Sequence, residues 1–165
     1  MCWSVALAAA HLNAHIYSLE PLPATFKVLR SNIALNRLHN ISAAQLAVSD
    51  SDGALSFKVT SKHSIYSRLA PSKASAEDLH RERFTDSHII EVKTIRLEDF
   101  CRERGIDRIG FLKIDVESAE VSVLKGAEPL LRQRAVDLIW IEVDPENLWL
   151  SMAGMAASLH LAPRD

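Results

Sequence analysis

Two runs of almost unbroken apolar residues, Ile109 to Ile114 and Leu138 to Val143, each lead directly into acidic residues. A strand with one face in water alternates apolar and polar side chains. A strand that is apolar at successive positions needs cover on both faces, which parallel sheets obtain from the helices that connect their strands. The segment between the two runs supplies such a helix. From about Ser118 it carries Val121, Leu124 and Leu131 at helical spacing, and Gly126 and Pro129 are expected to break it in two. This strand, helix, strand order predicts an α/β domain with a mostly parallel sheet.

The remainder continues the alternation. At 165 residues and 48% hydrophobic content the chain suits one domain with its own core. Residues 3 to 12 read as a helix rich in Ala and Leu, and His15 to Leu19 as a short strand that Pro21 stops. Ala24 to Leu38 reads as an amphipathic helix, with Pro23 suited to its first turn. Ala43 to Val48 and Ala54 to Val59 are predicted strands, and the Asp-Gly of SDSDG between them predicts a hairpin. Residues 61 to 87 are Ser-rich, charged and irregular, as in a loop or lid. A strand over Ile89 to Ile95 follows, then a short helix over Leu97 to Arg104 that Gly105 closes, and a last apolar helix is expected over about 146 to 161.

Charge excludes two classes of partner. With 19 basic and 21 acidic residues the chain has no electrostatic footprint for nucleic acid or for an anionic membrane. Arg102, Arg104, Arg108, Arg132 and Arg134 lie among Glu103, Asp107 and Glu128 and read as a solvated mixed face. Cys2 and Cys101 fit no metal or C-x-x-C spacing, so a reduced, cytoplasmic protein is expected. His11 and His15 are four apart without an H-E-x-x-H, and no metal site is expected. The opening MCWSVALAAAHL has no basic residue before it, as a secretory signal would, and falls short of the roughly 20 apolar residues that span a bilayer.

Ligands of open parallel sheets bind beyond the carboxyl ends of the strands. That rule selects Glu20, Asp115 and Glu142 with Asp144 at three strand ends, and Asp50 just past a fourth, so acidic groups are expected on one rim. Two readings fit Glu20. Its carboxylate has two acceptor oxygens for the paired hydroxyls of a ribose, as at the second strand of a nucleotide-binding fold. It also precedes a helix, whose dipole favours an acid there.

The stretches YSLEPLPATFKVLRSNIALN, LAVSDSDG, FLKIDVESAEVSVLKGAEPLL and IWIEV, in that order, resemble the successive blocks of the FkbM family of S-adenosylmethionine-dependent methyltransferases over roughly Trp3 to Asp144. The resemblance implies a Rossmann-like class I methyltransferase fold and S-adenosylmethionine as donor. It also implies a hydroxyl acceptor on a sugar or natural-product scaffold. By position, Glu20 would hold the donor's ribose, Ser49 and Asp50 would lie near its adenine, and Asp115 and Glu117 would face the methyl group and the acceptor. A carboxylate there would align the acceptor hydroxyl, take its proton, or suit the cationic sulfonium. Asp115 is equally suited to cap the next helix, Glu117 and Glu120 occupy first-turn positions where acids are common, and Glu142 fits either a rim site or a solvated strand end.

The family pattern has glycine where this chain has Ser118. No glycine occurs before Gly53, whereas a glycine-rich turn belongs about 20 residues before the ribose acid. The expectation is therefore an incomplete methyltransferase sheet, with the first strand and the C-terminal strand pair missing and exposed sheet edges able to associate. A degenerate or inactive domain acting by interaction only is the alternative function. A nicotinamide-dependent oxidoreductase would need the same glycine turn, and no Tyr-x-x-x-Lys accompanies it.

Overall fold

The computed structural model describes residues 3–60, 68–69, 87–116 and 119–142. The chain divides into two compact units, one up to Ala47 and the other from Val48. Both are mixed α/β.

The first unit contains α1 (Trp3–Ala10), β1 (Ile16–Leu19), α2 (Pro23–Leu35) and β2 (Ile41–Ala44). The two strands pair in parallel, with Ile16 opposite Ile41 and Leu19 opposite Ala44, and α2 is the crossover between them. Ala8, Leu22, Leu29 and Ile41 form its buried apolar set. Pro23 starts α2 as expected, where its missing N–H costs nothing. The helix ends with Arg37 in the left-handed region at φ 53°. Arg37 N–H donates to the Ala34 carbonyl and Leu38 N–H to Ile33, which together make a Schellman ending.

Asn40 ties the unit together. Its Nδ2 lies 2.9 Å from the Ala8 carbonyl, 3.1 Å from that of His11 and 3.0 Å from that of Ala14, while its own carbonyl accepts Ile16 N–H at 2.8 Å. One side chain thus caps α1 and its backbone starts the parallel pair.

The second unit begins within β3 (Ala47–Val48) and adds β4 (Gly53–Thr60), β5 (Arg68–Leu69) and β6 (Ser87–Ile95) in a sheet ordered β3-β6-β4-β5. Strand β4 is antiparallel to both neighbours, with Gly53 opposite Thr94 and Phe57 opposite Ile90. After α3 (Leu97–Arg104) come β7 (Leu112–Ile114), α4 (Glu120–Gly126), α5 (Glu128–Arg132) and β8 (Ile139–Ile141). Strands β7 and β8 pair in parallel, Leu112 opposite Ile139 and Ile114 opposite Ile141. Ile114, Val123 and Leu124 form the buried centre between this pair and α4, flanked by Val48, Leu112, Val116, Leu131, Ile139 and Ile141.

Three expectations are corrected. The hairpin across SDSDG does not form, because β6 lies between β3 and β4. The turn is held to β6 instead: Ser49 N–H donates to the Ile95 carbonyl at 3.0 Å, and the Asp52 carboxylate accepts Arg96 N–H at 2.8 Å. The Ala43 to Val48 strand is two strands in different sheets, β2 and β3, separated by Gln45 and Leu46. The run from Ile109 makes one bridge, to Val136, and regular pairing resumes only at Leu112. Parallel pairing is thus carried by two small sheets, with the four-stranded sheet antiparallel along β4.

Gly105 closes α3 at φ 63°, and the break between α4 and α5 falls at Ala127. The expected loop over 61 to 87 and the helix over 146 to 161 lie, apart from Arg68–Leu69 and Ser87, outside the described residues.

Candidate functional site

In the first unit the carboxyl end of β1 delivers the half-buried Glu20 to the space before α2. Pro21 forces the chain out of the ladder there, and Glu20 Oε1 accepts Leu22 N–H at 2.9 Å. Leu22 is the residue before the helix and has no side chain to cap it, so Glu20 serves as a local anchor for the turn. Its other oxygen makes no hydrogen bond among the described residues. Burial pushes the Glu20 carboxyl above its ordinary value, and the Leu22 N–H pulls it part of the way back. A ligand that donates hydrogen bonds would favour the ionised form and offset the desolvation. The carboxylate borders a recess of about 120 Å³ lined also by Ser18, Thr25, Val28 and Asn32. That volume is below the roughly 300 Å³ at which pockets for whole small molecules begin, and suits one sugar edge.

In the second unit Ser49 is buried and Asp50 exposed. Ser49 Oγ lies 3.3 Å and Ser51 Oγ 3.4 Å from Asp50 Oδ1, so the serines hold one oxygen of that carboxylate from either side.

Asp115 follows β7 and Glu142 follows β8, and parallel pairing brings both to the same end of the pair. Lys113 joins them. Its Nζ contacts Asp115 Oδ2 directly and stands 3.8 Å from Glu142 Oε2 and 5.3 Å from the centre of the Trp140 ring. Period-two alternation explains the grouping: Lys113 and Asp115 share one face of β7, and Leu112 and Ile114 take the core face. With its side chain only 15% exposed, Lys113 is the cation of this strand edge. In the sequence Lys113 is a single charged residue within an apolar run. The signal was present, since a lysine inside an apolar strand run needs a partner for its charge.

Of the other candidates, Glu120 is buried at the start of α4, and Glu117 and Asp144 lie outside the described residues, as does Ser118. Within the second unit Lys113 brings Asp115 and Glu142 together and Asp50 is held by its serines; Glu20 belongs to the first unit. Four of the five arginines are ion-paired: Arg102 with Asp99, Arg104 with Glu103, Arg108 with Asp137 and Arg132 with Glu128. Cys101 is a buried free thiol. Among the described residues no group of His, Cys, Asp and Glu converges as metal ligands, and no helix is long and apolar enough to cross a membrane.

Residues 3–157 match the model of the methyltransferase FkbM domain. The methyltransferase sdnD of Sordaria araneosa is 31% identical over 76% of this chain and 56% of its own length. The 31-O-demethyl-FK506 methyltransferase FkbM of Streptomyces tacrolimicus is 32% identical over 74% of the chain and 55% of its own length. The hexuronic acid methyltransferase AglP of Haloferax volcanii is 26% identical over 93% of the chain and 59% of its own. No solved structure gives a significant match. The chain thus spans little more than half the length of these relatives, and its match to the family model covers nearly all of its residues. It belongs to the FkbM methyltransferase family.

Proposed function

We propose that this chain works as an S-adenosylmethionine-dependent O-methyltransferase domain of the Rossmann-like class, with a hydroxyl on a sugar or natural-product scaffold as acceptor. The observation that carries the reading is Glu20: a half-buried carboxylate at the end of a parallel strand, with one oxygen fixed by Leu22 N–H, lining a recess that suits one sugar edge. Both ribose hydroxyls of the donor are donors that such a carboxylate would accept, and its burial makes those bonds worth more than in water.

S-adenosylmethionine would supply the methyl group to an in-line displacement. Ser49 and Asp50 would contact the adenine. Asp115, held by Lys113, would orient the acceptor hydroxyl and take its proton, with Glu117 beside it. The names of two relatives support this class of chemistry: one is named for O-demethyl-FK506, another for a hexuronic acid.

A second reading, a methyltransferase-like domain acting by interaction only, draws on the size of the recess, which takes part of a nucleoside and not the whole. Titration calorimetry with S-adenosylmethionine separates the two. Saturable heat that Glu20→Ala abolishes supports the donor site, and no heat at millimolar donor overturns it.

A further inference from the structure

Gly126, the last residue of α4, occupies a position that no other residue fits. A Cβ built there would stand 2.0 Å from the Ser49 carbonyl oxygen, 3.0 Å from the Ser49 carbonyl carbon and 3.5 Å from the Arg96 Cα. The obstacle is backbone, which cannot swing aside as a flexible side chain would. Gly126 is not among the positive-φ residues, so space and not conformational freedom demands glycine here.

The backbone it meets is the start of the Ser49–Asp52 turn. This turn is held at both ends by the strand that ends at Ile95, through Ser49 N–H to the Ile95 carbonyl and Arg96 N–H to the Asp52 carboxylate. Gly126 closes the third side, from beneath the Ser49 carbonyl. The Ser49 hydroxyl in turn fixes Asp50.

We infer that Gly126 is a positioning residue for the nucleobase side of the methyl donor: its bare Cα lets α4 seat against Ser49 and so sets where Ser49 and Asp50 stand. The inference rests on the proposed contact of these two residues with adenine. It goes beyond helix breaking, the role its sequence position implies. A helix that merely ended here would tolerate alanine, the residue that follows it.

Two variants separate positioning from general packing. Gly126→Ala forces the Ser49 carbonyl away. Val123→Ala, on the same helix, opens a cavity in the core beside Ile114 and Leu124 and leaves the Ser49 carbonyl unobstructed. With adenosine and S-adenosylmethionine as titrants, Gly126→Ala is expected to weaken both at least tenfold, and Val123→Ala less than twofold even where its melting temperature falls as far. Asp52→Ala supplies an arm without a core clash: it frees the far end of the same turn at an exposed position and is expected to weaken adenosine several-fold. Gly126→Ala and Asp52→Ala proteins that bind adenosine as wild type does overturn the inference while Glu20→Ala still abolishes donor binding. A wild-type chain that binds neither titrant overturns the donor site and this inference with it.

Discussion

The amide of Asn40 makes the most demanding prediction for the first unit. Nδ2 carries two hydrogens and faces three carbonyl oxygens, of Ala8, His11 and Ala14, at 2.9 to 3.1 Å, so at least one hydrogen is shared. Helix α1 has no basic residue in its last turn, and Asn40 serves the Ala8 carbonyl of that turn together with the His11 and Ala14 carbonyls of the segment that follows. Asn40→Ala removes the donors. A hydrogen bond contributes about 1 kcal/mol net, and a buried acceptor left alone costs about 1–3 kcal/mol. The Ala8 contact is part-buried and the other two are exposed, so water replaces the latter, and the expected loss is about 1–2 kcal/mol. Asn40→Asp is the sharper probe. It keeps the shape and sets carboxylate oxygens against three carbonyl oxygens, so at neutral pH it must cost more than alanine. Urea unfolding followed by circular dichroism gives the order, and amide exchange over residues 7–16 gives its location. An aspartate variant as stable as the alanine variant, or an alanine loss within the roughly 0.5 kcal/mol of ordinary surface changes, would refute the capping argument.

The remaining predictions concern charge and helix ends. Glu20 is raised by burial, so its ionisation works against the folded state, and the stability due to the neutral form is complete below the unfolded value and lost as pH rises through the folded one. Glu20→Gln should match wild type in acid and exceed it at neutral pH in thermal melts, and a gain confined to acid would reverse the sign and sink the reading. Arg37→Gly and Arg134→Gly should each stabilise by up to about 1 kcal/mol by relieving left-handed backbone, while Gly105→Ala should destabilise by about the same; denaturant midpoints that move together contradict this. Lys113→Met strands two carboxylates that are 41% and 64% exposed, so the loss should stay within about 1 kcal/mol and shrink in high salt; a salt-independent loss above about 3 kcal/mol would mean a buried pair instead.

Helix ends show what sequence could and could not deliver. Three helices close with the same Schellman pair of hydrogen bonds: Leu38 to Ile33 and Arg37 to Ala34 after α2, Ile106 to Cys101 and Gly105 to Arg102 after α3, Ala135 to Leu130 and Arg134 to Leu131 after α5. Only the one with glycine was legible, because glycine signals a left-handed residue and arginine does not. The parallel pairing of β7 with β8 was legible in the strand, helix, strand order, but the apolar runs overstated burial: Ile114 is buried, whereas Leu138 is 59% and Trp140 42% exposed, so one face of the pair is open. The hairpin across SDSDG was misread because Asp-Gly reports a turn but not which strand the chain then meets. A strand more than thirty residues later takes the place beside β3, and the Asp52 carboxylate accepts Arg96 N–H. The candidate site divides the same way. Glu20, Asp115 and Glu142 were visible as acids at strand ends. Lys113, which joins two of them, and Gly126, which seats the turn of Ser49 and Asp50, act through contacts between segments far apart in the chain. Acids at strand ends locate a rim, and the residues that fix its geometry are the ones that only tertiary pairing reveals.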